Sequence, residues 1–394
     1  MIKEGDKLNK ELFKMEENFK KEEKNRYKMP SLDVISDEVL KKMISNIDTS
    51  NGIIVPFGFG KNDLDEIKYF DITKMPNLLI GGTVMSGKTN FVNTLICSII
   101  MRYSPEEVRL SVSDSKGVDF TCYNGISHLL HPVIRNVRIL EKLLSYEIKE
   151  IQERYKIFDE SGFKRISDYN KNNEDSKMPY HIIFIDDYTA FVNGFENDCN
   201  KYIEYISQNG WNVGIHLIIV ANHPTVKIIS AITLLNFPSR VSFRVTSIKD
   251  SRMILEAPGA EKITGIGNLL VNIPTAYKIE EIHVNLIEDD VINKIVNELK
   301  TKNNVSYIDI YKSKENDVDH DDPLYNDIVE YVITAGKASA SLLQRRFKLG
   351  YNKASRIIDF LEERGIIGPQ NGSKPREVLV VLDNDNVDDK SSYF

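Results

Sequence analysis

At 394 residues, 41% hydrophobic and 28% charged, the chain has the composition of a folded protein of two or three domains, which excludes disorder throughout. Lys plus Arg number 51 and Asp plus Glu 58, a net charge of −7, so nucleic-acid binding would have to come from a local basic patch rather than from the whole surface. The longest apolar stretch, Leu95–Met101, falls far short of the ~20 residues of a membrane span, and the charged start has no signal-peptide pattern. Cys97, Cys122 and Cys199 lie far apart with no C-x-x-C pair, which excludes a zinc or disulfide framework and fits a reduced, cytoplasmic protein.

Residues 1–28 mix charges densely around Ile2, Leu8, Leu12, Phe13, Met15 and Phe19, the pattern of a solvated or partner-packed helix that Pro30 ends. Residues 34–46 form a short amphipathic helix. From about residue 51, short apolar runs alternate with helical segments. The strand candidates are Leu78–Ile80, Val108–Val112, His181–Ile185, Leu217–Val220 and Val241–Val245. Fully apolar strands separated by helices predict an α/β fold with a parallel sheet covered by helices on both faces. Residues 138–160 form one long helix with Leu140, Leu143, Leu144, Ile148, Ile151 and Tyr155 on its apolar stripe. Residues 312–322 are acidic and nearly devoid of apolar side chains, a linker. Residues 323–382 follow as a small helical unit with a Gly-rich turn and a strand, carrying a charge of +3 inside an acidic protein. The tail 383–394 is acidic. The expected organisation is therefore 1–50 charged helical segment, 51–300 main domain, 301–322 linker, 323–382 small domain and 383–394 tail.

The strongest motif is Gly82-Thr83-Val84-Met85-Ser86-Gly87-Lys88-Thr89, which matches G-x-x-x-x-G-K-[ST] between a strand and an apolar helix carrying Phe91, Leu95, Ile96 and Ile99. Its glycines let successive N–H groups point at phosphate oxygens, and the helix N-terminus adds partial positive charge. Residues Gly82 to Asn90 are thus the expected nucleotide-binding set for ATP, with Lys88 on the β- and γ-phosphates and the Thr89 hydroxyl on Mg2+. At the carboxyl end of the apolar strand HIIFI stand Asp186 and Asp187, where open α/β sheets bind ligands. Asp186 is expected to hold the Mg2+ water shell. Asp187 either orients or deprotonates the attacking water or caps the next helix. Asn222, after a further apolar strand, either contacts the γ-phosphate or satisfies turn backbone. His128 and His131 are packing or capping residues, and no His/Asp cluster has metal-ligand spacing.

Beyond these motifs the chain resembles the FtsK/SpoIIIE double-stranded DNA translocases. The resemblance runs through Lys74-Met75-Pro76-Asn77-Leu78-Leu79-Ile80, Gly125–Leu130, Glu153-Arg154-Tyr155, Gly214–Leu217, Phe237–Phe243, Asp250–Leu255 and Gly259-Ala260-Glu261. It implies a RecA-like P-loop motor over about residues 51–285, a homo-hexameric ring, double-stranded DNA as partner and ATP with Mg2+ as cofactors. Arg240 and Arg252 fall on family arginines, either of which could act as a finger on a neighbour's γ-phosphate or form a structural ion pair. Met85 stands where the family usually has glycine, Asp187 where it has Glu, Asn222 where it has Gln and His223 where it has Arg. The family's membrane-spanning N-terminus and most of its alpha domain are expected to be missing.

The small domain extends the likeness. Asp322-Pro323-Leu324-Tyr325, Lys337-Ala338-Ser339, Leu343–Phe347 and Gly350–Ile358 resemble the family's winged-helix gamma domain. Arg345, Arg346, Asn352, Lys353 and Arg356 are the expected DNA contacts of its helices, with Lys374 and Arg376 on a basic wing against phosphates. The expected function is an ATP-driven pump on duplex DNA. The alternative is a nucleotide-gated DNA-binding recruiter of a mobile element that does not translocate.

Overall fold

A computed structural model describes residues 27–378 except 51, 61–62, 195–198, 223–233, 275, 309, 311–322, 348, 351–353, 356, 359–360, 363–365 and 369–374. The expected helix over 1–28 and the stretches 312–322 and 383–394 therefore lie almost wholly outside the described residues. The chain divides into two compact units, residues 1–310 and 311–394.

In chain order the first unit comprises α1 (Glu38–Ser45), β1 (Ile54–Gly60), β2 (Asp63–Asp71), β3 (Leu78–Gly81), α2 (Lys88–Arg102), β4 (Val108–Asp114) and α3 (Val137–Ser161). It continues with α4 (Ile166–Asn172), β5 (Tyr180–Asp186), α5 (Tyr188–Gly194), α6 (Cys199–Asn209), β6 (Ile215–Ala221), β7 (Ser239–Phe243), α7 (Ile248–Leu255), β8 (Asn268–Asn272), β9 (Glu280–His283) and α8 (Asp289–Lys302). The strands make one 9-stranded sheet in the order β2-β1-β9-β8-β7-β3-β6-β5-β4. The segment β7-β3-β6-β5-β4 is parallel, as the apolar runs predict. The sheet is nevertheless mixed, because β8, β9, β1 and β2 extend it by antiparallel pairing. Strand β7 begins two residues earlier than expected, at Ser239.

Leu78 and Ile80 of β3 belong to the cluster that contains Phe91, Leu95 and Ile99 of α2, while Leu79 between them is equally buried on the opposite side. The run Leu95–Met101 is thus the carboxyl-terminal half of a helix buried on nearly all sides. Among the described residues no helix is long and apolar enough to cross a membrane.

On the other side α3 packs against α6. Asn136 caps its start through the Arg138 N–H, and Gly162 ends it with φ 76°. Its buried stripe differs from the expected one. Glu147 and Arg154 are fully covered, whereas Ile148 and Tyr155 are only partly buried. The reason is pairing. Glu147 Oε2 meets His181 Nδ1 at 2.8 Å, and Arg154 donates to the carbonyls of Pro179 and Val213. His181 Nε2 in turn meets Ser111 Oγ at 3.0 Å. This Ser–His–Glu chain has the connectivity of a hydrolytic triad, but all three side chains are sealed from solvent, so it ties α3 to β4 and β5 rather than meeting a substrate.

The second unit contains α9 (Pro323–Ala335), β10 (Lys337–Ala338), α10 (Ala340–Phe347) and β11 (Arg376–Glu377), with β10 and β11 antiparallel. Ile328, Val332, Leu343, Ile357, Leu361 and Ile367 belong to its own core. An isolated bridge joins Ile367 to Val378. Helices around a small core with a strand pair returning at the end are the plan of a winged helix.

Candidate nucleotide site

Four neighbouring parallel strands end side by side, and each delivers part of the site. β3 runs into the phosphate loop, Asn222 follows the end of β6, β5 ends at Asp186 with Asp187 next, and β4 ends at Asp114. Neighbouring strands lie ~4.8 Å apart, so groups distant in sequence converge within reach of one ligand.

The loop is held from outside. The Thr83 N–H donates to Arg244 O at 2.9 Å, and the Gly267 N–H donates to Ser86 O at 3.1 Å. A Cβ at Gly82 (φ 150°) would lie 2.7 Å from Phe243 Cβ, so β7 and the loop approach as closely as glycine permits. Met85 adopts φ 60°, the left-handed region where glycine is at ease, and its side chain is 84% exposed. Ser86 Oγ is buried with no hydrogen-bond partner among the described residues. Gly87 (φ 110°) precedes the first turn of α2.

Lys88 Nζ donates to Gly82 O at 2.9 Å and Thr83 O at 2.6 Å, which curls the loop around its ammonium. Burial pulls its pKa down to about 8 against the attraction of Asp186 and Asp187. Thr89 follows at the half-buried start of α2. The side chain of Asn90 is turned away from the loop: its Nδ2 donates to Ile287 O at 2.9 Å and its Oδ1 accepts from Ile287 N at 3.0 Å. Both polar atoms of its side chain are committed to that backbone, so the Asn90 side chain braces the start of α2.

Asp186 is buried beside other acids. Burial first, then Asp119, Asp114 and Asp187, push its pKa up to about 7, against a hydrogen bond from the Asp187 N–H. Carboxylate oxygens of Asp114, Asp119 and Asp186 all lie within 4.8 Å of one another. This cluster is invisible in sequence spacing because it arises from the β4–β5 register, in which Asp114 pairs with Asp186. Asp114 also organises its own loop: one oxygen accepts from the N–H groups of Lys116 and Gly117, the other from those of Asp119 and Phe120. A hard divalent cation fits this oxygen-rich, negatively charged setting, with Asp186 and the Thr89 hydroxyl as the residues that would hold it.

Asp187 has φ 47°. Its Oδ1 accepts from Asn222 Nδ2 at 3.2 Å, and its Oδ2 lies 3.6 Å from Lys116 Nζ. No bond from its side chain to the amides of α5 is present among the described residues, so the helix-capping alternative finds no support there; the turn that follows Asn222 lies outside the described residues. Nothing in the sequence spacing points to Lys116.

The two arginines separate cleanly. Arg240, on β7, is buried; it donates to Phe237 O and Leu234 O at 2.9 Å and to Ile254 O at 3.4 Å, and pairs with Glu256 at 2.9 Å. Arg252, on α7, is exposed. Arg240 therefore takes the structural alternative. His128 and His131 are buried packing residues whose pKa values burial pulls down to about 4, and His128 Nε2 meets Tyr103 O at 2.8 Å. His223 lies outside the described residues.

In the second unit Arg345 and Arg346 are exposed on α10, with Arg346 stacked 5.5 Å from the Tyr331 ring centre. Arg376 on β11, expected on the basic wing, pairs with Glu362 of its own unit. Asn352, Lys353, Arg356 and Lys374 lie outside the described residues.

Comparison with known proteins matches residues 45–263 to the FtsK/SpoIIIE family and residues 319–381 to the Ftsk gamma domain. The chain is 37% identical over 347 residues to the DNA translocase SpoIIIE of Bacillus subtilis, covering 85% of this chain and 44% of that protein. It is 37% identical over 355 residues to the DNA translocase FtsK of Borreliella burgdorferi, covering 87% and 45%. The chain thus spans under half the length of these relatives. Among solved structures, the pCW3 conjugation coupling protein TcpA, determined with ATPgS, superposes with a TM-score of 0.56 at 24% identity over 64% of this chain and 72% of that one. The cytoplasmic domain of the Thermomonospora curvata type VII secretion ATPase EccC gives 0.58 at 18% identity over 71% and 34%. Those two likenesses support the P-loop fold, and the family match implies nucleotide binding at the loop described above. By sequence over more than half its length, and by the gamma domain that follows, this chain belongs to the FtsK/SpoIIIE family.

Proposed function

We propose that the chain is the cytoplasmic motor of an ATP-driven double-stranded DNA translocase, working as a homo-hexameric ring with its gamma domain loading or orienting the motor on DNA. The observation that carries this reading is the convergence of Gly82–Thr89, Asn222, Asp186 and Asp187 at the ends of adjacent strands. Lys88 and the loop amides bind the triphosphate of ATP. Buried Ser86 Oγ, lacking a partner among the described residues, is a further group a phosphate oxygen can satisfy. Mg2+ held by Thr89 and Asp186 supplies charge neutralisation on the phosphates when bound. Asp187 accepts the proton of the attacking water, and Asn222, bonded to it, links the state of the site to β6. Arg252, exposed on α7, is the better placed of the two arginines to reach a neighbouring subunit's nucleotide. Val84, Met85, Ile266 and Leu286 are exposed apolar residues on or beside the segments that brace the loop, which suits coverage by a neighbouring subunit.

The test is ATPase activity titrated with duplex DNA, beside triplex displacement by the same preparation. Duplex-stimulated turnover that displaces a third strand and is abolished by Lys88→Ala is expected. Turnover without displacement would assign the chain to the recruiter class instead. Turnover indifferent to both DNA and Lys88→Ala would end the motor reading.

A further inference from the structure

The carboxyl edge of the sheet carries one more charged side chain directed at the site. Lys116 sits in the turn after β4, the outermost strand of the parallel segment. Its loop is built rather than loose. Asp114 accepts four of its backbone N–H groups. Gly117 takes φ 66°, and a Cβ there would strike the Arg135 guanidinium. Because Asp114 and Asp186 are register partners, this loop lies beside the one that carries Asp187. The Lys116 ammonium then stands 3.6 Å from Asp187 Oδ2, while Asn222 Nδ2 holds Oδ1 at 3.2 Å.

The two oxygens of one carboxylate are thus gripped from two different strands. Asp187 needs such a grip. It starts from a left-handed backbone, and its side chain is one methylene shorter than the Glu usual in the family, so its oxygens reach a water only from a restricted set of rotamers. At 3.6 Å the contact with Lys116 is an ion pair rather than a hydrogen bond. It constrains the direction of the carboxylate.

Resting on the reading of Asp187 as the water-orienting base, we propose that Lys116 is a positioning residue for ATP hydrolysis, acting with Asn222 to aim the Asp187 carboxylate. A misaimed base slows chemistry and leaves nucleotide affinity untouched. Lys116 is more than half exposed, so its removal leaves no cavity.

The experiment measures kcat, KM and affinity for a fluorescent ATP analogue on the full chain with duplex DNA. It compares the wild type with Lys116→Ala, Lys116→Arg, Asp187→Asn and the double variant. Lys116→Ala is expected to lower kcat about ten- to hundredfold while KM and analogue affinity stay within about twofold. Lys116→Arg should restore most of the loss. Adding Lys116→Ala to Asp187→Asn should change nothing further, since the two act as a unit. Three results would overturn the assignment: wild-type kcat in Lys116→Ala, a loss confined to KM and analogue affinity, or a full multiplicative loss in the Asp187→Asn background. The last two would mean that Lys116 contacts phosphate itself. Asp187→Asn with undiminished kcat would instead remove the base reading on which the proposal stands. A slow Asp187→Asn beside a normal Lys116→Ala would sink the Lys116 role alone.

Discussion

Arg240 and Arg252 occupy positions the family resemblance treats alike, and their surroundings assign them opposite consequences on substitution. Arg240→Ala removes donors to the carbonyls of Phe237, Leu234 and Ile254. The partner Glu256 is 65% exposed and rehydrates when released, so the loss falls on the carbonyls. Two of those bonds are 2.9 Å long, and the third is weaker at 3.4 Å. With each unsatisfied buried acceptor costing about 1–3 kcal/mol, Arg240→Ala should destabilise the first unit by about 3–5 kcal/mol. Arg252→Ala, on an exposed helix face, should stay within about 0.5 kcal/mol. Trp211, the only tryptophan, packs in the first unit with its Nε1 donating to Thr73 O, so its fluorescence reports that unit's unfolding. In a urea titration Arg240→Ala should move the Trp211 midpoint down by roughly 1 M or more, given the slope expected of a unit this size. Arg252→Ala should leave the midpoint in place and lower duplex-stimulated turnover by up to about 10³-fold, as a finger in trans would. An Arg240→Ala protein with an unmoved midpoint and lost turnover would refute this assignment.

Met85→Gly should stabilise the first unit by up to about 1 kcal/mol. It relieves about 1–2 kcal/mol of left-handed strain and gives back part of that as unfolded-chain entropy. The exposed Met85 side chain forfeits little burial, and a Trp211 midpoint that falls by more than an experimental error would contradict the strain. Acid should weaken the same unit through His128, His131 and His216, whose pKa values burial holds at about 4 against an ordinary 6.5. The unfolded chain binds those protons first. Stability is therefore intact above pH 6.5 and drains away toward pH 4, by up to about 3 kcal/mol per histidine. A urea midpoint that stays level from pH 7 to pH 5 would show that these rings are not held neutral.

The parts of this fold that were legible in sequence are those whose physics is local. β3, β4, β5 and β6 are buried on both faces and so spell unbroken apolar runs, and the phosphate loop is a continuous string because one turn must present many amides to one ligand. β1 was not legible. It contains Pro56, Gly58 and Gly60, residues that argue against a strand, and it exists because β2 and β9 pair with it. Gly58 is needed there because a Cβ would lie 2.2 Å from His283 O, more than two hundred residues away in the chain. The short, half-exposed β8 and β9 also exist through their pairing rather than through an apolar run. The acidic cluster and Lys116 likewise follow from the register of β4 against β5. The residues that carry the family resemblance divide in a way their letters do not announce. Asn77 bonds the backbone of Ser207, Asn236 and Leu217, Arg154 the carbonyls of Pro179 and Val213, and Ser251 that of Ala257. These are frame residues, bound to their own chain as firmly as Arg240. What decides whether an arginine in such a motif is frame or finger is whether carbonyls converge on it. They do so on Arg240 only because β7, α7 and the segment before β7 meet there, a property of the assembled chain that no string of residues states.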